Sequence, residues 1–418
     1  MKTTITTAAA VAVLALTVSA CSSPSGSEAA DPESSQATEV EGPVSVLSYS
    51  ATDTFYGEFY DRCEEITGVE FDVLVIPKAE IIQKATQLAA SGDAPDMLSI
   101  DNPDVATLAD AGVLSPIDLE AAGLDPADFV QGPLESGQYD GVQYALPVGN
   151  NGEVLAYDAD ALAEAGVEVP TSWEELTTAA QSLKTDGRDG FAASFGGGET
   201  LTWNWYTQLW SSGGSLEDLT SDAAIESADF WGSFLRDGLA PQASLQWFGG
   251  GDASAALISG ELALAQLGTW ELPALLAEAK EAGKDIRIAP QVSPDGSPPV
   301  IAFGGEVLAA GAGATGPMAE VVNTCITSWY SDLELTADWS EQLGYVPAYV
   351  PLQDEVLSRM PELEVLAEML TESRPRTAEA GADYPAYSAA VGVALQKIAG
   401  GTPAEQAMQE AAAAVGEG

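Results

Sequence analysis

Residues 70–102 read EFDVLVIPKAEIIQKATQLAASGDAPDMLSIDN. Two short apolar runs, EFDVLVI (70–76) and DMLSI (96–100), flank a segment in which Ile81, Ile82, Ala85, Leu88 and Ala89 recur at helical spacing. Gly92, just past that periodic run, supplies a left-handed helix stop. The stretch is therefore strand, helix over 79–90, strand. The same alternation precedes it, with VSVLSY (44–49) as a strand and 54–66 as a helix. Alternating units of this kind build a parallel sheet with helices on both sides, an α/β architecture.

Downstream, a third helix is expected over 104–111, followed by a turn-rich connection to YDGVQYALPV, a hairpin around Asp140-Gly141. Pro170 and TSWE (171–174) form a capping box in which the Thr171 hydroxyl accepts the Glu174 N–H, so a helix starts there. Helices are expected over 222–235 and 273–282, then the strand IRIAP, the apolar strand VIAFGGEVLAA and a helix over 318–330. Two more, around 387–399 and 404–414, close the chain, and there is no internal repeat.

The N-terminus, MKTTITTAAAVAVLALTVSAC, has one basic residue, an apolar stretch too short to span a bilayer, and small residues ahead of Cys21. It reads as a cleaved export signal over residues 1–20. Val-Ser-Ala-Cys resembles a bacterial lipoprotein cleavage site, which makes Cys21 the lipid-bearing first residue of the mature chain. Residues 21–42, poor in apolar side chains, form a flexible tether.

The formal charge is −50, with 64 acids against 14 Lys and Arg, and no histidine. Such a surface repels nucleic acid. The absence of histidine removes Ser-His-Asp and Cys-His catalysis and His-bearing zinc sites. Cys63 and Cys325 each lie on the apolar stripe of a helix, either as two separate packed thiols or as one disulfide; we expect the disulfide in an exported chain.

The phrases LAASGDAPDMLSIDN, ADAGVLSPID, YDGVQYALPV, EVLAYDADALAEAGVEVPTSWEEL, SGELALAQLGTW, FGGEVLAA and GYVPAY follow one another in the order of a known family. In these the chain resembles the bacterial extracellular solute-binding proteins of family 1, the maltose- and oligosaccharide-binding type, over nearly all of 43–418. The family's usual Tyr-Asn-Lys-Asp is here Tyr157-Asp158-Ala159-Asp160. The resemblance implies a two-lobed, periplasmic-binding-protein-like α/β fold with hinge strands and an interlobe cleft. Lobe one would be 43–149 plus 304–342, and lobe two 150–303 plus 343–418. Both cysteine-bearing helices would then share a lobe.

GAGATG (311–316), between a strand and a helix, resembles a dinucleotide fingerprint. The acids about 20 residues on, Asp332 or Glu334, fall in a helical segment instead of ending a second strand, so it is a turn. No cofactor and no metal is expected: TDGRDG and SPDGS lack the acids of a calcium loop, and FGGGET and FGGGDA lack a phosphate-loop lysine.

A neutral sugar stacks on aromatic rings and bonds its hydroxyls to Asp, Asn and Glu. The resemblance puts Trp203 and Trp270 at stacking positions, and Trp205, Tyr206 and Trp210 read as core. Polar candidates are Asp101 and Asn102 at the carboxyl end of a strand, Asn150 and Asn151 at the first lobe crossing, and Glu306 at the next. Tyr49, Ser50 and Asp53 follow the first strand, and Tyr384 and Tyr387 could reach from the C-terminal helices. The expected function is a monomeric, lipid-anchored receptor that captures a mono- or oligosaccharide outside the cytoplasmic membrane and hands it to an ABC transporter permease. The rivals are an exported glycoside hydrolase using paired carboxylates, an envelope scaffold without a ligand, and a receptor for a cation such as a polyamine.

Overall fold

The computed structural model describes residues 40–49 and 55–416. The expectations for the export signal, for Cys21, for the tether up to Glu39, and for Ser50 and Asp53 lie outside the described residues. The strands, in chain order, are β1 (Val44–Ser48), β2 (Phe71–Val75), β3 (Met97–Asp101), the short pair β4 (Gln138–Tyr139) and β5 (Val142–Gln143), and β6 (Ala145–Pro147). They continue with β7 (Glu153–Asp158), β8 (Asp189–Ala192), β9 (Leu262–Gly268), β10 (Ile286–Ala289), β11 (Ile301–Ala302), β12 (Glu306–Ala310) and β13 (Ser373–Arg374).

They assemble into two lobes, each α/β. The first sheet has the order β2-β1-β3-β12-β6. β1 pairs in parallel with β2 and β3, as the strand-helix-strand reading requires, while β12 runs antiparallel to β3 and β6. The second sheet has the order β10-β7-β9-β8. Between the two sheets the chain crosses at residues 148–152 and 303–305, and a third segment lies alongside. Asn151 and Gly304 exchange backbone hydrogen bonds (3.1 and 2.8 Å), and Asn150 and Val346 do the same (2.7 and 2.9 Å).

Each sheet buries its own aromatic core. Around the first, Tyr56 and Trp329 meet Trp339 edge to face at 6.1 and 5.0 Å, and Trp339 meets Tyr345 the same way at 5.0 Å. In the second lobe Trp205, Tyr206 and Trp210, on the helix Glu199–Ser211, are all buried, as expected for core residues. A disulfide joins Cys63, on the helix Phe55–Thr67, to Cys325, on the helix Pro317–Ser328, closing 262 residues of chain.

Local expectations hold in most places. Asp140 and Gly141 both take positive φ (49° and 75°) between β4 and β5, the tight turn that the Asp-Gly pair implies. GAGATG is the turn between β12 and the helix Pro317–Ser328. The capping box is corrected by one residue: Ser172, not Thr171, is the cap and accepts the Glu175 N–H, while the Glu175 carboxylate reaches back to the Thr171 N–H and hydroxyl. Ser172, extended at φ −119° and ψ 164°, directly precedes the first helical residue, Trp173, which is where a cap must stand. Among the described residues no helix is long and apolar enough to cross a membrane.

Candidate functional site

β3 ends in Asp101 and β12 begins with Glu306, and the two face each other in register. Two carboxylates are therefore brought side by side at the edge of the first sheet that looks toward the second lobe. Asp101, 2% exposed, is matched at once by two cations. The Lys78 Nζ lies 2.6 Å from its Oδ2, and one terminal nitrogen of Arg376 donates to both its oxygens at 2.9 Å. Burial alone would raise the Asp101 pKa, but Arg376 and Lys78 outweigh it and hold the carboxyl below its ordinary range. Asn102, also buried, accepts from the same Arg376 nitrogen at 3.3 Å and stands behind the cleft.

Arg376 arrives from the other side. β13 pairs with β11, which carries the chain past the second crossing, and the residue after Pro375 enters the interior with 1% exposure. Its second terminal nitrogen donates to Glu199 Oε1 at 2.6 Å. Glu199 opens the helix Glu199–Ser211, where an acid is favoured by the helix dipole, and also accepts from the Tyr384 hydroxyl at 2.5 Å and from the Ser388 hydroxyl. One arginine thus bridges an acid at the edge of the first sheet and an acid on a helix of the second lobe. Its own pKa is well above normal: burial works against the charge, and Asp101 and Glu199 more than compensate.

One turn after Glu199 on the same face lies Trp203. Its indole N–H donates to the Ala302 carbonyl at 2.8 Å, and its ring stacks on Trp270 at 5.3 Å and 22°. The Arg376 guanidinium sits 5.0 Å from the Trp203 ring centre. Two glycines permit this: a Cβ on Gly268 would lie 2.1 Å from the Trp270 ring, and one on Gly304 would lie 2.9 Å from Trp203.

These groups enclose a cavity of about 260 Å³ whose lining includes Tyr49, Lys78, Asp101, Asn151, Glu199, Trp203, Trp270, Glu306, Tyr345 and Arg376. The Glu306 Oε1 faces the Tyr345 hydroxyl at 3.5 Å, whereas its Oε2 is buried without a hydrogen-bond partner among the described residues. Burial and the neighbouring Asp101 push the Glu306 carboxyl up, and the Tyr49 hydroxyl and Lys78 partly counter this. Asn151 Oδ1 and Arg376 Nε are likewise buried and unpartnered among the described residues. Buried polar atoms left unpaired are costly, and three of them lie around this one cavity. Three larger grooves, about 680, 560 and 540 Å³, hold none, one and none of such atoms respectively. Among the described residues no three His, Cys, Asp or Glu are grouped to hold a metal ion.

Of the residues named from sequence, Tyr49, Asp101, Asn151, Trp203, Trp270 and Glu306 line this one cavity. Asn150 does not: its side chain donates to the Val346 carbonyl and ties the crossing segments together. Tyr384 stands behind Glu199, and Tyr387 packs against the core of the second lobe. Sequence reasoning missed Lys78, Glu199, Tyr345 and Arg376. The rule that selected Asp101, the carboxyl end of a parallel strand, applies equally to Lys78 just after β2, and Tyr345 lies in the already quoted GYVPAY. No local signal marks Arg376.

A family model described as bacterial extracellular solute-binding protein matches residues 58–361. Solved structures share the fold across about nine-tenths of this chain. An ABC transporter solute-binding protein from Thermotoga lettingae bound with α-D-tagatose has a TM-score of 0.75 at 20% identity, covering 90% of this chain and 99% of that one. The cyclic α-maltosyl-1,6-maltose binding protein of Arthrobacter globiformis gives 0.73 at 24% identity, with 90% and 99% coverage. UgpB from Mycobacterium tuberculosis in complex with glycerophosphocholine gives 0.75 at 22% identity, with 90% and 98% coverage. Tagatose and glycerophosphocholine differ in chemistry, so the shared fold does not by itself select a ligand.

Proposed function

This chain belongs to the bacterial extracellular solute-binding protein family, and from that premise we propose that it captures a mono- or oligosaccharide in the cleft and delivers it to the permease of an ABC importer. In this reading it binds without chemistry and acts as a monomer. It is held on the outer face of the cytoplasmic membrane by a lipid on Cys21, after loss of residues 1–20. Lobe one comprises 43–149 plus 304–342 and lobe two 150–303 plus 343–418.

The observation that carries the reading is the meeting of an aromatic platform, Trp203 and Trp270, with the unpaired Asn151 Oδ1 and Glu306 Oε2 around one cavity. Sugar C–H faces stack on such rings, and sugar hydroxyls donate to such oxygens. Asn151 and Glu306 come from the crossing segments and the first sheet, and Trp203 and Trp270 from the second lobe. A guest touching both sets stabilises the closed arrangement selectively, which is the signal a permease needs. Asp101 is taken as a ligand group shared with Arg376 and Lys78, and Tyr49 as a second wall.

A thermal-shift screen of the purified chain against sugars, polyamines and amino acids tests this. Sugars are expected to raise the melting temperature. Stabilisation by a polyamine or amino acid alone would reject the carbohydrate reading, and steady turnover of chromogenic glycosides would reject the receptor reading.

A further inference from the structure

The space around the three unpaired atoms is about 260 Å³, below the roughly 300–1,000 Å³ usual for small-molecule pockets. That accommodates one sugar ring with its hydroxyls and not two linked rings. Two features bound the space. On one side the Arg376 side chain is held from both ends, by Asp101 at 2.9 Å and Glu199 at 2.6 Å, and is 1% exposed, so it forms a wall and not a movable flap. On another, Trp203 and Trp270 stack on each other at 5.3 Å, which leaves no slot between them for a ring. A guest meets only the outward side of that pair.

The polar groups select chemistry as well as size. Asn151 Oδ1 and Glu306 Oε2 need donors, and Arg376 Nε needs an acceptor. Hydroxyl groups supply both. Charge argues for neutrality. The cations of the lining, Lys78 and Arg376, are already matched by Asp101 and Glu199. An anionic guest would meet the carboxyl of Glu306, and a cationic one would be placed beside two fixed cations.

We propose that the cleft takes a neutral, polyhydroxylated guest the size of a single ring, a monosaccharide or the corresponding sugar alcohol, and excludes linked sugars. This rests on the carbohydrate reading of the cleft. Under it, Asn151 and Glu306 are the residues that fix the guest's hydroxyls, and Arg376 sets the length of the site.

Isothermal titration of the mature chain with aldohexoses, ketohexoses, pentoses and pentitols, and with maltose, maltotriose, cellobiose, sucrose and spermidine, tests the size limit. At least one single-ring sugar or pentitol is expected to bind, with the linked sugars at least a hundredfold weaker. A disaccharide or trisaccharide that binds within tenfold of the best single-ring sugar overturns the size limit and leaves the carbohydrate reading standing. Heat from spermidine without heat from any sugar overturns both, as does silence across the panel. For the sugar that binds, Asn151→Ala and Glu306→Gln are each expected to weaken it about tenfold, the loss of roughly one hydrogen bond. Unchanged affinity in both variants would remove these residues from the site and with them the proposed recognition.

Discussion

One terminal nitrogen of Arg376 donates to both carboxylate oxygens of Asp101, each at 2.9 Å, across 275 residues of sequence. Both partners are almost wholly buried, and the other end of the guanidinium is anchored on Glu199. The contact links the edge of the first sheet to the segment entering the C-terminal helices, so it works as a tie across the cleft as well as a wall of it.

Arg376→Ala would leave Glu199 without a cation and Asp101 with Lys78 alone. Removing one partner of a buried pair typically costs about 3–5 kcal/mol, and urea unfolding of the ligand-free protein should show a loss of that order. Arg376→Lys retains the charge but cannot reach both acids as a fork, so an intermediate loss is expected. A variant as stable as the parent would show that the tie contributes nothing.

Trp270 lies flat on Gly268. Gly268→Ala would drive a methyl into the indole from 2.1 Å and dislodge the stacked pair. With whichever sugar gives the largest thermal shift, both this variant and Trp270→Ala should bind about tenfold more weakly or worse, in keeping with an aromatic contact worth about 0.5–1.5 kcal/mol beyond its area. Titration followed by tryptophan fluorescence measures it, and parental affinity in Gly268→Ala would mean the platform is not used.

Glu153, at the start of β7, is 4% exposed and accepts a hydrogen bond from Gln266, with no cation in contact among the described residues. Burial raises its pKa to about 8 from 4.5. Between those values the unfolded chain has released this proton while the folded chain still holds it, so stability falls as pH rises from about 4.5 to 8. The slope approaches about 1.4 kcal/mol per pH unit. Asp104, raised to about 7, works in the same direction, whereas Asp101, with its lowered pKa, contributes stability that is lost in acid. In Glu153→Gln the decline from pH 5 to pH 8 should flatten. Chemical denaturation at both pH values, on parent and variant, decides it; parallel profiles would contradict the assignment.

The Cys63–Cys325 disulfide closes 262 residues, and both sulfur-bearing residues are fully buried. Dithiothreitol should therefore leave the native protein oxidised and act only once it unfolds. The Cys63→Ala, Cys325→Ala double variant should lose about 2–5 kcal/mol. Thermal melts with and without reductant, and thiol counts before and after unfolding, check both statements.

Strand-helix-strand order around residues 44–101, the hairpin at Asp140-Gly141 and the turn at GAGATG were legible because each depends on neighbours within a few residues: apolar period, a glycine stop, a pair tolerant of positive φ. The cap of the helix at Trp173 was misplaced by one residue for the same reason, since two adjacent hydroxyls fit the local pattern equally well and only the backbone distinguishes them. In the candidate site, Asp101 was found because the carboxyl ends of parallel strands have a fixed relation to the cleft, and Glu306 because the resemblance put it at a lobe crossing. Asn150, beside Asn151, was not separable from it in sequence, yet one side chain ties the crossing and the other lines the cavity.

Sequence alone determined the α/β alternation, because periodicity and turn chemistry are properties of a linear chain, and the order of its motifs carried the resemblance that implied two lobes and the family. Tertiary structure alone decided that Arg376 meets Asp101, that Glu199 lies one turn from Trp203 on the cleft side, and that these groups line one cavity of about 260 Å³. The physical reason is that ion pairing and cavity size depend on through-space distances among residues up to 275 positions apart, and no local propensity encodes these.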